Sequence, residues 1–260
     1  VGNFALPALS VYFFGANLPK IVISLVLVRL IVLLLHIICV SKLLEVKYVK
    51  LKPHKAIVND FAAFGSWMTL SNILSPLMVT ADRFVLSAIV GASVLAYYTV
   101  PFEVIIRLLI IPAALTGAFF PQISALLNKD KKKAKVLFKQ CVKLIFIVMF
   151  FICITIAIFS KIGLTIWIDK NFADESWYVA SILVIGILFN SIAQIPYATV
   201  QASGNVKATS IVHLTEFVVY IPLLIVSVYY FGIIGAACTW ICRAALDMIL
   251  MFILSRKVFN

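Results

Sequence analysis

Uninterrupted apolar stretches of about twenty residues constrain this chain more than any other feature of its sequence. One of them, IVISLVLVRLIVLLLHIICV at 21–40, carries a single charged residue, Arg29, near its centre. An α-helix rises about 1.5 Å per residue, so about twenty residues cross a hydrocarbon core of about 30 Å. A membrane β-barrel instead needs segments of about ten residues with alternating polarity. The apolar stretches are longer and apolar on both faces, so they predict an all-α fold, a polytopic transmembrane helix bundle.

The composition of the chain supports the same class. Hydrophobic residues make up 64% of it, charged residues 12%, and the mean hydropathy is +1.14. The net charge of +12 is concentrated in two lysine-rich segments, 41–55 and 128–143, which the positive-inside rule places in the cytoplasm. Basic and aromatic residues do not alternate as they do on nucleic-acid-binding surfaces, so no nucleic acid partner is predicted.

The distribution of charge also predicts a membrane topology. Lys50 and Lys132 fall in the two lysine-rich segments and are expected in the cytoplasm, whereas Asp174 falls in the acidic, aromatic-rich segment WIDKNFADESWY and is expected in the periplasm. Seven full spans and one partial span follow, including two spans joined by the turn FGIIG near the cytoplasmic C-terminus. The chain enters an apolar stretch without a basic n-region, so we expect further helices upstream rather than a signal peptide.

Eight charged side chains fall inside or at the ends of the predicted spans, where charge is costly and usually functional. They are Arg29, Asp82, Arg83, Glu103, Arg107, Glu216, Arg243 and Asp247.

Two of these charges, Asp82 and Arg83, are predicted to mark the outer end of a span, where two helices of the stretch 64–124 join. Glu103 and Arg107 are four residues apart and share one helix face, and Arg243 and Asp247 have the same spacing. Such pairs either neutralise each other and fix helix packing, or line a water-filled cavity. The number of charges on one polytopic chain favours the cavity.

Motifs of enzymes and ATP-driven pumps are absent from the sequence, which has no Walker A, H-E-x-x-H or G-x-S-x-G pattern. The carboxylates of Asp169, Asp174 and Glu175 are expected to lie in a solvated outer loop. The five cysteines lie in or beside apolar stretches without a CxxC pair, so they are expected to be small buried hydrophobic residues. No catalytic residue, metal site or cofactor is therefore predicted.

Several motifs between 64 and 124 resemble one family of membrane proteins. They are Trp-x-Thr-Leu-Ser-Asn at 67–72, Asp-Arg at 82–83, Tyr-Tyr-x-x-Pro at 97–101 and Phe-Pro at 120–121. This stretch is similar to the seventh and eighth helices of Wzx-type polysaccharide (O-antigen) flippases of the multidrug/oligosaccharidyl-lipid/polysaccharide exporter superfamily. The resemblance implies two six-helix lobes around a central cavity. Residues 1–55 would hold the last one or two helices of the first lobe and the inter-lobe cytoplasmic loop, and 56–260 the second six-helix lobe.

The resemblance also implies a function, the translocation of undecaprenyl-pyrophosphate-linked oligosaccharide, an O-antigen or capsule repeat unit, across the bacterial inner membrane by alternating access without ATP hydrolysis. The implied partners are the lipid-linked oligosaccharide, membrane lipids, H⁺ or Na⁺ as coupling ion, and the polysaccharide polymerase machinery. Arginine forks suit phosphate oxygens, and amides or Tyr97 or Tyr98 can bond sugar hydroxyls. The predicted substrate-binding residues are Arg29, Asp82, Arg83, Glu103, Arg107, Asn190, Gln194 and Arg243.

Other functions stay open on the sequence alone. An ion-coupled multidrug exporter of the same superfamily would use a carboxylate such as Asp82 or Glu216, and an unpaired carboxylate deep in one lobe would favour it. A basic cavity with few free carboxylates would favour the flippase. A membrane glycosyltransferase or polymerase would need long outer loops with catalytic carboxylates, but the predicted outer loops are short. Interior charges disfavour a purely structural membrane protein.

Overall fold

The computed structural model describes residues 18–43 and 55–259, and these are helical almost throughout. The helices are α1 (Leu18–Leu43), α2 (Lys55–Ile89), α3 (Ala92–Ile106), α4 (Ile110–Lys129), α5 (Lys131–Trp167), α6 (Lys170–Ala202) and α7 (Val206–Phe259). A 3-10 turn, Arg107–Leu109, links α3 to α4. Within these ranges there is no strand, and the predicted all-α fold is confirmed.

Within the described residues, six continuous helical segments are long and apolar enough to cross a membrane. One of them, Ala92–Lys129, consists of α3, the 3-10 turn and α4, while α1, α2, α5, α6 and α7 supply the others. This confirms the predicted polytopic transmembrane bundle for the described part of the chain.

The last helix, α7, is long enough for two crossings, and it reverses direction at Gly232. The backbone there has φ 57° and ψ −135°, a conformation that glycine adopts at little steric cost. Side chains on either side of this glycine meet, since Arg243 Nη1 lies 4.0 Å from Glu216 Oε2 and His213 Nε2 lies 3.8 Å from Asp247 Oδ1. Thus α7 is a hairpin of two antiparallel halves, 206–231 and 233–259, and its turn falls within the predicted FGIIG segment.

The described helices divide into two units at the boundary between Lys55 and Ala56. The first unit contains α1, whose apolar side chains are mostly exposed on every side of the helix, as expected for a helix that contacts lipid. The second unit contains α2 from Ala56 onward and α3 to α7. Its assignment to the second lobe of a two-lobe exporter remains a prediction.

The second unit packs around α6, the most buried of its helices. Gly186 allows α7 to approach α6 closely, because a Cβ at this position would lie 2.2 Å from Cζ3 of the fully buried Trp240. A hydroxyl contact joins α2 to the first half of α7, where Ser71 Oγ donates to Ser210 Oγ at 2.9 Å. Small residues and buried hydroxyls at helix contacts are typical of membrane bundles.

The predicted helix boundary at Asp82 and Arg83 is wrong. Helix α2 continues through both residues to Ile89, and the chain turns instead at Gly91, which has a φ of 90°. Asp82 remains within the helix because the Tyr98 hydroxyl and a backbone N–H donate hydrogen bonds to its carboxylate. These donors stabilise the charge of Asp82 inside the bundle, whereas the sequence analysis predicted it at the end of a span.

Two predicted loops are shorter than expected because an aspartate caps a helix in each. Asp130 Oδ1 accepts hydrogen bonds from the backbone N–H groups two and three residues on, at 3.0 and 3.1 Å, and α5 begins directly after it. Asp169 Oδ1 accepts from the N–H three residues on, at 2.9 Å, and α6 begins at the next residue. The charged residues expected in these loops therefore lie on helix ends. Residues 44–54 of the other lysine-rich segment, with Lys50, lie outside the described residues.

The five cysteines are free and differ in burial. Cys141 and Cys153 on α5 are buried, as predicted, but Cys39, Cys238 and Cys242 are exposed, so the prediction is wrong for these three. The apolar sequence around these three cysteines does not distinguish exposed helix faces from core-facing ones.

Candidate functional site

A buried charge cluster, made of Asp82, Tyr98, Glu216, Arg243 and Asp247, joins α2, α3 and α7. Asp82 and Tyr98 are fully buried, and the Tyr98 hydroxyl donates to the Asp82 carboxylate. The backbone N–H of residue 83 donates to the same carboxylate at 2.8 Å. The guanidinium groups of Arg83 and Arg243 are also close enough to attract this charge. Asp82 is thus a buried carboxylate with two hydrogen-bond donors and two neighbouring cations.

Arg243 connects the two halves of α7 within this cluster. Its Nη1 lies 4.0 Å from Glu216 Oε2, and the two side chains are only 8% and 1% exposed. The guanidinium also lies over the rings of Tyr220 and Trp240, at 5.7 and 5.9 Å from their centroids. Cation–π attraction at two aromatic faces therefore supplements a long ion contact.

The cluster contains more carboxylates than permanent cations. The basic group that approaches Asp247 most closely is His213, with Nε2 3.8 Å from Oδ1, and the ion contact of Arg243 reaches Glu216 instead. The two carboxyl groups of Glu216 and Asp247 are within interaction distance of each other. Within the described residues, neither oxygen of Glu216 has a hydrogen-bond donor. Two acidic groups thus share one guanidinium and one imidazole, and the pairing of Arg243 with Asp247 expected from their spacing is not the closest one.

A second group, the exposed charge chain, runs through Arg83, Glu103 and Arg107. Arg83 Nη1 lies 2.6 Å from Glu103 Oε1, and Arg107 Nη2 lies 3.8 Å from Glu103 Oε2. The predicted pair of Glu103 and Arg107 is present, but the contact of Glu103 with Arg83 is shorter. The three side chains are 30%, 45% and 82% exposed in this order, so the exposed charge chain leads from the edge of the core to the surface of the unit.

A polar cavity of about 160 Å³ lies between α2, α6 and α7 and brings Asn190 and Gln194 together. Ser71 and Asn72 line it from α2, and Asp247 lines it from α7, next to the buried charge cluster. Both amides predicted to bond sugar hydroxyls therefore share one polar cavity.

The remaining predicted residue, Arg29, is exposed on α1 in the first unit, and its role stays a prediction. Sequence reasoning did not identify the partnership of Asp82 with Tyr98 or the participation of His213. A signal for the first was available, because positions 82 and 98 are symmetric about a turn at 90 and would meet in an antiparallel helix pair. Gly91 marks that turn.

An all-α bundle of membrane-crossing helices with ionisable groups in its interior is typical of membrane transporters. Comparison with known proteins identifies the family, since residues 68–226 match the MatE family model, and this chain belongs to that family. A Shigella flexneri protein named "Putative O-antigen transporter" is 38% identical over 250 residues, which cover 95% of this chain and 58% of the relative. The chain thus spans somewhat more than half the length of this relative. No solved structure matches the chain.

These matches confirm the predicted resemblance to Wzx-type flippases of the multidrug/oligosaccharidyl-lipid/polysaccharide exporter superfamily. The relative carries the name of a transporter, and neither match names an enzyme. The comparisons therefore give no support to the membrane glycosyltransferase or polymerase considered from the sequence.

Proposed function

We propose that this protein moves undecaprenyl-pyrophosphate-linked oligosaccharides from the cytoplasmic to the periplasmic leaflet of the bacterial inner membrane by alternating access. Membership of the MatE family and the name of the Shigella flexneri relative support this proposal. A pyrophosphate and a sugar chain cannot enter hydrocarbon unaided, so such a transporter must offer them polar groups within the membrane. Association with the polysaccharide polymerase machinery remains a prediction.

The observation that carries the proposal is the exposed charge chain midway along a membrane-crossing segment. Arg107 lies fifteen residues after Ala92 in a segment of 38 residues, and its side chain is 82% exposed. A guanidinium at that depth is costly against lipid and usually faces a water-filled cavity or a polar partner. The exposed charge chain therefore supports a hydrophilic path along α3.

The same groups suit a pyrophosphate. Phosphate oxygens and carboxylates both accept two parallel hydrogen bonds from a guanidinium, so an incoming pyrophosphate competes with Glu103 for Arg83 and Arg107. Binding would exchange the 2.6 Å contact between Arg83 and Glu103 for contacts with the substrate. Substrate arrival and rearrangement of α2 against α3 would then be linked.

The polar cavity suits sugar hydroxyls because Asn190 and Gln194 each offer both donors and acceptors. At about 160 Å³ the cavity holds a few water molecules, each of which takes about 30 Å³ in the liquid. A volume of this size does not hold more than about one sugar ring, so a longer oligosaccharide requires the cavity to open.

The excess of carboxylates in the buried charge cluster suggests where a coupling ion acts. The two carboxylates of Glu216 and Asp247 have only Arg243 and His213 as basic partners in the buried charge cluster. Uptake of H⁺ or Na⁺ would therefore neutralise a negative charge that these side chains neutralise only in part. This change would alter the contact that joins the two halves of α7. The same observation favours a second candidate function, an ion-coupled multidrug exporter, because these carboxylates lie deep in the unit.

Substitution of Arg107 in the full-length protein tests the proposal in a strain that lacks its O-antigen flippase. Arg107→Ala should reduce surface polysaccharide about tenfold or more, because a hydrogen bond to a charged group contributes about 1.5–3 kcal/mol. Arg107→Lys should restore part of it, since it keeps the charge but loses the fork. Lys170→Ala, which removes a cation at a helix end, is the matched control. Normal expression with full polysaccharide in Arg107→Ala would contradict the proposal.

A further inference from the structure

A groove of about 570 Å³ lies between the first part of α5 and the last part of α7. Four cations line it, namely Lys135, Lys139 and Lys143 of α5 and Arg256 of α7, together with phenylalanines from both helices. We refer to it as the basic groove. It lies at the end of the second unit that carries the lysine-rich segment 128–143, which the topology prediction places in the cytoplasm.

The cations of the basic groove share one face and lack acidic partners. The three lysines follow one another at intervals of four residues, so they form a row about 12 Å long on one side of α5. In the part of the chain that the structure describes, none of the four cations has an ion-pair partner, and no acidic residue lines the groove. The nearby Lys133, by contrast, pairs with Asp130 at 3.7 Å. Four positive charges therefore converge on one groove without compensation from the described residues.

The base of the groove is aromatic. Phe138 on α5 is buried against Phe252 and Phe259 of α7, with ring centroids 6.2 and 5.2 Å apart. Ser255 is buried beside them, and its hydroxyl donates to the backbone carbonyl of Phe252 at 3.0 Å. A ligand at this site would thus contact apolar rings on one side and ammonium or guanidinium groups on the other.

We propose that the basic groove binds an anionic glycerophospholipid of the cytoplasmic leaflet. Its phosphate would lie among the four cations, and its acyl chains would lie along the phenylalanines. Basic pockets between transmembrane helices on the cytoplasmic side are known to hold anionic lipid headgroups, and each nearby cation strengthens the attraction. The aromatic base favours a lipid over a free phosphate, which would gain nothing from it.

The bound lipid would join the start of α5 to the end of α7 at the cytoplasmic side of the unit. The aromatic contacts at the base of the groove hold the two helices together, but the uncompensated cations on its two walls face each other and repel. A phosphate between them would replace repulsion by attraction on both sides. This proposal does not depend on which substrate the transporter moves.

The test measures lipid binding to the full-length protein in detergent, by native mass spectrometry and by the shift in thermal unfolding on titration with phosphatidylglycerol. The double variant Lys139→Gln/Arg256→Gln removes one cation from each wall. The control Lys131→Gln/Lys132→Gln removes the same charge from exposed positions on the first turn of α5 that do not line the groove. Phosphatidylethanolamine, inorganic phosphate and a polyprenyl-pyrophosphate are titrated in parallel.

The groove variant should bind phosphatidylglycerol about 30-fold more weakly, as expected for the loss of two cations near the membrane surface, and the control should bind it as the wild type does. Phosphatidylethanolamine and inorganic phosphate should neither bind nor stabilise at equal concentration.

Three results would overturn the assignment. Equal loss in both variants would show diffuse surface attraction, and equal stabilisation by inorganic phosphate would show a plain anion site. Preferential retention of a polyprenyl-pyrophosphate over phosphatidylglycerol would assign the groove to the transported substrate instead.

Discussion

Two buried carboxylates, Asp82 and Glu216, differ in how well the protein compensates them. Asp82 receives hydrogen bonds from the Tyr98 hydroxyl and a backbone N–H. Glu216 has a guanidinium at 4.0 Å and no hydrogen-bond donor among the described residues. An uncompensated buried charge is costly. Asp82 is well compensated and has the surroundings of a structural residue, whereas the surroundings of Glu216 suit a carboxylate that exchanges one positively charged partner for another.

The first prediction concerns the donor to Asp82. Tyr98→Phe should destabilise the protein by about 1.5–3 kcal/mol, because it removes a hydrogen bond to a buried charged group. Tyr97→Phe removes a hydroxyl from the neighbouring, half-buried position and should be nearly neutral. Thermal unfolding in detergent compares the two, and equal stabilities would show that the hydroxyl of Tyr98 contributes nothing to Asp82.

The second prediction separates the partners of Arg243. Arg243→Ala alone should cost about 3–5 kcal/mol, because it leaves buried carboxylates without their permanent cation. Adding Glu216→Ala should recover more of this loss than adding Asp247→Ala, since the ion contact of Arg243 reaches Glu216. Two double-mutant cycles on the free energy of unfolding give the coupling energies. A larger coupling to Asp247 would support the pairing expected from sequence spacing and contradict the structure.

At the scale of helices, the contact between α6 and α7 depends on a residue without a side chain. Gly186→Ala should cost about 1–3 kcal/mol, because the new Cβ would lie 2.2 Å from Trp240 Cζ3 and the two helices must move apart. Gly163→Ala on α5 is the matched control, since no atom of another described residue, its neighbours along the helix aside, lies within 4 Å of its Cβ position, and it should be neutral or slightly stabilising. Unfolding temperatures in detergent measure both. The close contact of α6 with α7 is contradicted if the two variants behave alike.

The helices show which parts of the fold the sequence could predict. The number and type of the full spans in the described residues followed from apolar length, and the predicted partial span near residues 1–15 lies outside those residues. The reversal of α7 followed from the glycines of FGIIG, because glycine tolerates φ 57° at Gly232. The predicted end of α2 was wrong because Asp82 has hydrogen-bond partners inside the bundle. A charged residue indicates a helix end only where it lacks such partners. The caps Asp130 and Asp169 were missed, although aspartate is a strong N-cap residue, because the charges after them suggested loops.

The candidate site was predictable in composition but not in pairing. The aspartates, glutamates and arginines of the site were identified from the sequence, because charges are conspicuous in apolar stretches, whereas the participation of His213 was not. Their partners depend on where helices turn, and the contacts of Arg83 with Glu103 and of Arg243 with Glu216 follow from turns near Gly91 and at Gly232. The burial of each charged side chain could not be predicted either. Arg107 and Arg243 each lie four residues from a carboxylate in the sequence, yet the side chain of Arg107 is 82% exposed and that of Arg243 only 8%.

For the whole molecule, the helix ends support one consistent orientation. The ring contact between Phe138 and Phe259 places the start of α5 and the end of α7 on the same side, and both carry basic residues. At the opposite end of α5, Lys161 pairs with Asp174 at 2.7 Å. The excess of positive charge thus lies at one end of the bundle, as the positive-inside rule predicts for the cytoplasmic side.

Direct translocation by the full-length protein in liposomes tests the central claim, that the hydrophilic path along α3 carries a lipid-linked pyrophosphate. The measurement follows the transfer of a labelled undecaprenyl-pyrophosphate-linked oligosaccharide between leaflets, beside efflux of a lipophilic cationic dye under an H⁺ or Na⁺ gradient. We expect transfer of the lipid-linked oligosaccharide, a loss of about tenfold or more in Arg107→Ala, and no dye efflux. Dye efflux without transfer of the lipid-linked oligosaccharide would contradict the account and identify an ion-coupled multidrug exporter.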